Sequence, residues 1–374
     1  MIVPSFPAVG LDRQALVEGM AQAGLQTMLL TSPENVFYTT GYTTLPSAGN
    51  PILYTLRNRL PYFGLVDASG ETTLLCWGFS TEGVDFGADK IVGFNSYPTA
   101  LEALAEAVKG STVIGVESTC PLYVIDVLKE AGVATAPADG VLQGLRLIKS
   151  SEEVARLRRS TEIIEKTAEE LFPLLQVGML RSTIMREARY RLMRNGSIGI
   201  SHLTFSFGDS NPEVEADEPL VVGSLVTLDL GGVYEGYCSD NRRYAYVGEI
   251  PDSVEHTYRA MVNIVDGVGA ALKPGVSYAE LYELALRLYD EYDMTPMDRF
   301  THVGHNIGLE TEEEWLTNDP TRQIEAGMVI NIELYTFGPT GHQIGNEETY
   351  IVTAAGPERI SVLPREIYRV EEAA

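Results

Sequence analysis

The chain has 374 residues, of which 45% are hydrophobic, and its 52 acidic and 27 basic side chains give a formal net charge of −25. This length and apolar content predict two domains with sizeable cores, and the negative charge argues against nucleic acid and anionic membranes as partners. No apolar run approaches the roughly 20 residues of a membrane span, the first residues lack a signal-peptide pattern, and three cysteines without ligand-like spacing are typical of reduced thiols in a cytoplasmic protein.

The first 150 residues alternate between helical and strand patterns, which predicts an α/β layer domain over residues 1–150. The sequence Thr-Ser-Pro-Glu-Asn at 31–35 predicts a turn. No glycine-rich phosphate loop follows any predicted strand, so nucleotide binding has no support. The predicted helices span 11–23, 100–108 and 121–131, and the predicted strands span 26–30, two segments within 62–75, and 112–116.

A second domain is expected over residues 151–374, because a new helical pattern begins at its start. Ser150 with Glu153, and Ser277 with Glu280, have the spacing of helix-capping boxes. The predicted order is two helices, a strand hairpin, two helices and further strands. A helix–strand order used twice fits an α+β domain, and the sequence shows no repeat between its two halves.

Two aspartates lie in the predicted hairpin, whose strands span 226–233 and 237–247. The sequence Val233–Gly236 offers a tight turn, and pairing about it would set Asp229 opposite Asp240. Directly opposed Cβ atoms lie roughly 4.5–5.5 Å apart, close enough for both carboxylates to hold a pair of metal ions. Two bare carboxylates at that distance would repel each other, so we favour a metal site over a purely structural hairpin.

Three more potential metal ligands follow in later apolar segments. A carboxylate in such a segment is costly unless it is paired or coordinates a cation. One imidazole and four carboxylates form an oxygen-rich set that suits Mn, Co, Fe or Zn, and so much negative charge favours two divalent ions over one. The predicted metal ligands are Asp229, Asp240, His305, Glu333 and Glu347.

The segments that carry these ligands are DLGGVYEGYCSDNRR at 229–243, GHNIGL at 304–309, AGMVINIE at 326–333 and EETYIVT at 347–353. In this order they resemble the pita-bread metal enzymes, the family of aminopeptidase P, prolidase, methionine aminopeptidase and creatinase. Residues 29–42 and 145–158 resemble the amino-terminal domain and the interdomain junction of its prolidase branch. The resemblance implies a creatinase-like α/β domain followed by a pita-bread domain with pseudo-two-fold αβ repeats.

The resemblance also implies a two-metal hydrolase. Asp240 and Glu347 would bridge the ions, Asp229 would bind one ion, and His305 and Glu333 would bind the other. A metal-bound hydroxide would attack the amide carbonyl of an Xaa-Pro peptide or of another small amide, and Glu333 would carry the proton to the leaving nitrogen. Manganese is the first choice of metal, with cobalt, zinc or iron as alternatives, and capping of the site by a neighbouring subunit implies a homodimer.

The positions that hold the substrate in proline-specific members differ in this chain. Three histidines and one arginine of the family are replaced, while the five metal ligands are retained. This combination favours retained metal chemistry on an altered substrate. The replacements are Asn211 or Pro212, Thr301 and Glu312 for the histidines, and Gly345 for the arginine.

Some polar residues are candidates to fill these roles. His202 and His342 are the best-placed substitutes for substrate-binding histidines, although a structural or surface role is an alternative for each. Glu312, in the acidic run 310–314, is either part of a solvated acidic face, like Glu313, or a catalytic group that shares the proton-transfer role.

Arg242 and Arg243 would either meet an anionic substrate or pair with neighbouring carboxylates. Two other kinds of function stay open. One is a non-peptide enzyme on the same scaffold, similar to ectoine hydrolase or to a dimethylsulfoniopropionate lyase. The other is a non-catalytic interaction module, against which the five retained ligands argue.

Overall fold

The computed structural model describes residues 5–207, 217–297, 301–339 and 341–372. The chain forms two compact units, Met1–Arg146 and Leu147–Ala374. Within the described ranges, no helix combines the length and the apolar character that crossing a membrane requires. The replaced positions Asn211 and Pro212 lie outside the described residues.

The elements that begin in the first unit are β1 (Ser5–Phe6), α1 (Arg13–Gln22), β2 (Thr27–Leu30), α2 (Pro33–Thr40), α3 (Ile52–Leu56), β3 (Phe63–Asp67), β4 (Thr72–Trp77), β5 (Asp85–Phe86), β6 (Lys90–Phe94), α4 (Tyr97–Ala107), β7 (Val113–Val116), α5 (Leu122–Glu130), β8 (Ala134–Pro137) and α6 (Asp139–Leu147). Six strands form a mixed sheet in the order β6-β4-β3-β2-β7-β8, and β1 pairs separately with β5. Leu104 of α4 and Leu128 of α5 are buried with Leu29 and Phe63 of the sheet. The predicted α/β layer is therefore present.

The predicted turn at residues 31–35 is wrong beyond its first two residues. Ser32 is the N-cap of α2, and its side chain accepts a hydrogen bond from the Asn35 backbone N–H. Pro33 occupies the first helical turn, where a missing N–H leaves no hydrogen bond unmade. Residues typical of turns are also typical of helix starts, so the composition of this segment did not separate the two.

The elements of the second unit are α7 (Ser151–Leu171), α8 (Arg181–Asn195), β9 (Gly199–Ser206), β10 (Leu225–Tyr234), β11 (Tyr237–Cys238), β12 (Asn241–Val247), α9 (Asp252–Ala270), α10 (Tyr278–Glu291), β13 (His302–Asn306), β14 (Glu314–Thr317), β15 (Val329–Phe337), β16 (Gln343–Thr353), β17 (Gly356–Arg359) and β18 (Tyr368–Val370). One sheet has the order β11-β10-β12-β18, with β9 on the other edge of β10, and a second has the order β14-β13-β15-β16-β17.

A pair of helices covers each sheet, so the helix–strand order is used twice as predicted. Ile164 of α7 and Leu192 of α8 are buried with strands of the first sheet, and Ile264 of α9 and Leu281 of α10 are buried with strands of the second. Both predicted capping boxes are confirmed at the starts of α7 and α10. The helices thus cover the outer faces and hold the two sheets that carry the predicted ligands.

The predicted register of the aspartate hairpin is wrong by two residues. Glu235 and Gly236 alone form the loop, both with positive φ (47° and 92°), as in the tight turns that favour hairpins. Tyr234 therefore pairs with Tyr237, and Asp229 lies opposite Arg242 rather than Asp240.

Candidate metal centre

Asp229 lies on β10, and nitrogen-bearing side chains from both neighbouring strands reach it. On one side it pairs with Arg242 of β12, whose Nη2 donates a hydrogen bond to Asp229 Oδ2. On the other side, His202 of β9 lies opposite Gly231, two residues along the same face, and His202 Nε2 is 3.0 Å from Asp229 Oδ1. Both carboxylate oxygens of Asp229 therefore have a partner within the protein.

Asp240 lies in the gap between β11 and β12, where it faces both sheets. The preceding residue is fixed by helix α7, because Ser160 Oγ donates to Ser239 Oγ at 2.9 Å. Asp240 Oδ1 is 2.9 Å from His202 Nε2, and Asp240 Oδ2 is 3.7 Å from His305 Nε2. Asp240 is thus the carboxylate that both halves of the site share.

The other three predicted ligands come from the second sheet. His305 lies on β13, and Glu333 on β15 pairs directly with Glu347 on β16. Asn331 Nδ2 donates to Glu347 Oε1 at 2.7 Å, and Tyr335 Oη donates to Glu333 Oε2 at 2.7 Å. Since residues two apart on a strand share a face, the residues flanking Glu333 orient the carboxylates of this ladder.

These side chains fit a divalent cation. His305 Nε2 and Glu347 Oε2 are buried, and within the described residues neither has a hydrogen-bond partner. An unpaired buried polar atom costs about 1–3 kcal/mol. Ligand atoms of Asp240, His305 and Glu347 all lie within 4.8 Å of one another, as do those of His202, Asp229 and Asp240. Oxygen and imidazole donors in such clusters suit Mn, Co, Fe or Zn.

The electrostatics of the two clusters differ. Burial, followed by the charges of Asp240 and Asp229, raises the pKa of Glu347 well above its usual range. Burial also raises the pKa of Asp240, against the opposing effect of His202. Burial alone would raise the pKa of Asp229, but Arg242 and then His202 outweigh it and hold that pKa below its usual range. A cation would therefore relieve most repulsion around Glu347.

The predicted substrate-binding and catalytic residues lie at different distances from this centre. His202 contacts two predicted ligands, as described above. Burial raises the pKa of Glu312; His305 lowers it, and Glu333 raises it again, so this exposed carboxyl interacts electrostatically with the centre. His342 lies in the turn between β15 and β16, five residues from Glu347 and one residue beyond the last pair of the ladder, or about 17 Å along the strand. The structure does not bring His342 to the ligand cluster.

The position of the family's arginine is filled by an aromatic ring. Gly345 pairs with Tyr335 in the β15–β16 ladder, and a side chain at residue 345 would overlap the Tyr335 ring. Arg242 lies over that ring, with its guanidinium carbon 4.2 Å from the ring centre. A guanidinium group is thus present near the centre, but it comes from β12 rather than β16.

Thr301 replaces another of the family's histidines, and a histidine lies directly beside it in the sequence. Thr301 is exposed, whereas the adjacent His302 packs against Trp315 with ring centres 4.0 Å apart and the rings tilted by 46°. Burial lowers the pKa of His302.

The acidic run 310–314 is not a uniformly solvated face. Glu313 forms a salt bridge of 2.6 Å with Lys149, and the two side chains are only 3% and 1% exposed. Glu314 accepts hydrogen bonds from Tyr278 and Arg322. The solvated-face prediction is therefore wrong for Glu313, because its carboxylate has a buried cationic partner.

Ion pairing accounts for both arginines of the hairpin. Arg242 pairs with Asp229, and Arg243 pairs with Glu348 at 3.2 Å.

Sequence reasoning missed the contacts of Asn331 and Tyr335 with the ligand carboxylates. Their spacing of two from Glu333 was the available signal, because a strand places such residues on one face.

Comparison with solved structures defines the class of the fold. The prolidase from Pyrococcus horikoshii OT3 matches with a TM-score of 0.82 and 23% identity, covering 95% of this chain and 99% of that one. The prolidase from Pyrococcus furiosus matches with a TM-score of 0.79 and 24% identity, covering 93% and 100%. The N-terminal domain of FACT complex subunit SPT16 from chickpea also matches, with a TM-score of 0.73 and 15% identity over 94% and 96%. The fold is thus the two-domain creatinase and pita-bread architecture, and it does not fix an activity by itself.

Sequence comparison identifies the family. The profile of metallopeptidase family M24 matches residues 155–354, and that of the Creatinase/Prolidase N-terminal domain matches residues 13–148. The chain therefore belongs to metallopeptidase family M24 and is a metal-dependent hydrolase. A relative named Xaa-Pro dipeptidase from Pyrococcus horikoshii is 25% identical over 361 residues, which cover 94% of this chain and 97% of the relative. The Xaa-Pro dipeptidase from Pyrococcus furiosus is 25% identical over 364 residues, covering 95% and 98%.

Proposed function

We propose that the protein is an Xaa-Pro dipeptidase or aminopeptidase that uses two divalent ions, with manganese as the first choice and cobalt, zinc or iron as alternatives. The observation that carries this proposal is the cluster of unpaired ligand atoms, above all His305 Nε2 and Glu347 Oε2. Relatives named Xaa-Pro dipeptidase, similar over almost the whole chain, support the choice of substrate. They lend no support to the non-peptide alternatives.

In this proposal the five predicted ligands hold the ions, and Glu333 also transfers a proton. Asp229, Asp240, His305, Glu333 and Glu347 would hold the ions, and Asp240 would contribute to both halves of the centre. The bound ions would polarise the amide carbonyl and lower the pKa of a water molecule.

The proton transfers are assigned to carboxylates of this chain. Glu333, steadied by the hydrogen bond from Tyr335, takes the proton of the attacking water and passes it to the leaving nitrogen. Glu312 is available to share this task, because it is exposed and has a raised pKa. A carboxyl group with a pKa closer to the working pH is a better proton carrier.

The substrate contacts must differ from those of the proline-specific members. Gly345 of β16 cannot supply a guanidinium group. Arg242 of β12 places a guanidinium group near the centre instead. We expect a small peptide as substrate, with His202 and Glu312 near it. We also expect a homodimer. We expect it to lie in the cytoplasm, in line with the free thiols of Cys76, Cys120 and Cys238.

The test is hydrolysis of a panel of Xaa-Pro dipeptides and tripeptides by protein loaded with Mn²⁺ or Co²⁺. Asp240→Ala is the blank, and Asp290→Ala, at an exposed residue of α10, is the matched control. We expect turnover that Asp240→Ala abolishes and Asp290→Ala retains. A metal-loaded wild-type protein that cleaves none of the panel would overturn the choice of substrate.

A further inference from the structure

We propose that His202 is a sixth protein ligand of the metal centre, which binds the ion held by Asp229 and Asp240. The inference rests on the proposed function, since it assumes that this half of the centre takes an ion. It assigns His202 a different role from the substrate contact expected from the sequence. The inference depends on the position of His202 Nε2.

The spacing of the donor atoms is that of adjacent ligands on one ion. His202 Nε2 lies 3.0 Å from Asp229 Oδ1 and 2.9 Å from Asp240 Oδ1. Metal bonds of about 2.0–2.2 Å at right angles separate adjacent ligand atoms by about 3 Å. An ion could therefore bind all three atoms with small side-chain movements.

The backbone of β9 directs His202 to this place. The register of β9 against β10 shifts between Gly231 and Gly232, which leaves Ser201 as an extra residue next to His202. Such a bulge re-aims the neighbouring side chain. A side chain at residue 231 would overlap both His202 and Ser201, so the glycine leaves the space that the imidazole occupies.

The second ring nitrogen is also accounted for. His202 Nδ1 lies 3.4 Å from Ser201 Oγ, which in turn lies 3.5 Å from the backbone oxygen of Ser239. A hydrogen-bond partner at one ring nitrogen orients a metal-binding imidazole and leaves the other nitrogen for the ion. A residue that only packed against the sheet would not need this orientation.

The direct test is ¹¹³Cd NMR of wild-type protein that is loaded with ¹¹³Cd²⁺ and labelled with ¹⁵N-histidine. Scalar coupling between cadmium and nitrogen occurs only through a bond to the metal. We expect couplings to two histidines, of which His202→Ala abolishes one. Coupling to a single histidine in the wild-type protein would overturn the proposal without any need for a variant.

A second measurement is the binding of Mn²⁺ to metal-free protein by calorimetry. His202→Ala should weaken one of the two binding steps by about tenfold or more, at least the effect of removing a partner of a metal ligand. The control is His256→Ala, at an exposed residue of α9, which should bind as the wild type does. Equal affinities in His202→Ala and wild type would contradict the inference.

The two failures are distinguishable. If the wild-type protein binds metal and cleaves Xaa-Pro peptides but shows one histidine coupling, the ligand inference fails and the proposed function stands. If the wild-type protein binds no metal, the proposed function itself fails.

Discussion

The two halves of the metal centre are chemically unlike. The Asp229 side, formed by Asp229, His202 and Arg242, has a nitrogen partner for each oxygen of its carboxylate. The Glu347 side, formed by Glu347, Glu333 and His305, contains buried donor atoms that lack a partner among the described residues. The first side is stabilised without a metal, whereas the second has most to gain from one. We therefore expect the first ion to bind on the Glu347 side.

The largest effect should come from the residue that both sides share. Asp240 contributes an atom to each candidate cluster. Asp240→Ala should remove at least one ion and lower kcat/KM by roughly 10³-fold or more, the scale for removing one member of a catalytic unit. Metal analysis and peptide hydrolysis measure the two effects. Unchanged metal content would contradict the ligand assignment.

Arg242 is the cationic partner of the Asp229 carboxylate, and the Glu347 carboxylate has no comparable partner among the described residues. Arg242→Gln should destabilise the metal-free protein by roughly 3 kcal/mol, because it leaves a buried carboxylate without its cation. The same change should strengthen Mn²⁺ binding, since a positive charge next to the ion is removed. Thermal unfolding and calorimetry test the two opposite changes. If both quantities match the wild type, the ion pair between Arg242 and Asp229 does not matter in solution.

A change at Glu347 should have the opposite effects on the stability of the metal-free protein and on Mn²⁺ binding. Because its pKa is raised by burial and by Asp240 and Asp229, ionisation of Glu347 costs stability as the pH rises from its ordinary value to the raised one. Glu347→Gln should therefore raise the melting temperature of the metal-free protein at pH 7, by about 2–4 °C for each 1 kcal/mol. It should also abolish the stabilisation that Mn²⁺ gives. A metal-free variant that melts below the wild type would contradict this account.

Tyr335 should have the smallest effect. Tyr335→Phe removes the hydrogen bond to Glu333 but keeps the ring beneath Arg242. One such bond is worth roughly 1–2 kcal/mol, so kcat/KM should fall by about tenfold while metal content stays constant. Tyr335→Leu, which also loses the ring, should fall further. Equal losses in the two variants would assign the role to packing instead.

Local signals explain how much of the fold could be predicted. The capping boxes at Ser150 and Ser277 involve neighbours three residues apart, and both predicted helix starts are confirmed. The helix start at Ser32 was mistaken for a turn, because serine and proline occur in both turns and helix starts. The burial of Glu313 was missed since Lys149 is distant in sequence.

The detail of the centre depends on backbone geometry that composition does not specify. The partner of Asp229 follows from a loop of two residues with positive φ at Glu235 and Gly236. Counting from a loop of four residues shifted the pairing by two. The place of His202 depends on the bulge at Ser201, and a bulge moves every pairing beyond it.

The most direct test of the difference between the two halves is to titrate metal-free wild-type protein with Mn²⁺. Calorimetry measures the affinity of each binding step, and metal analysis counts the ions that the protein holds at the end. We predict two binding steps, with the second about tenfold weaker or more, because an ion on the Asp229 side must compete with Arg242 for the Asp229 carboxylate. Two equal steps, or no binding at all, would contradict the account.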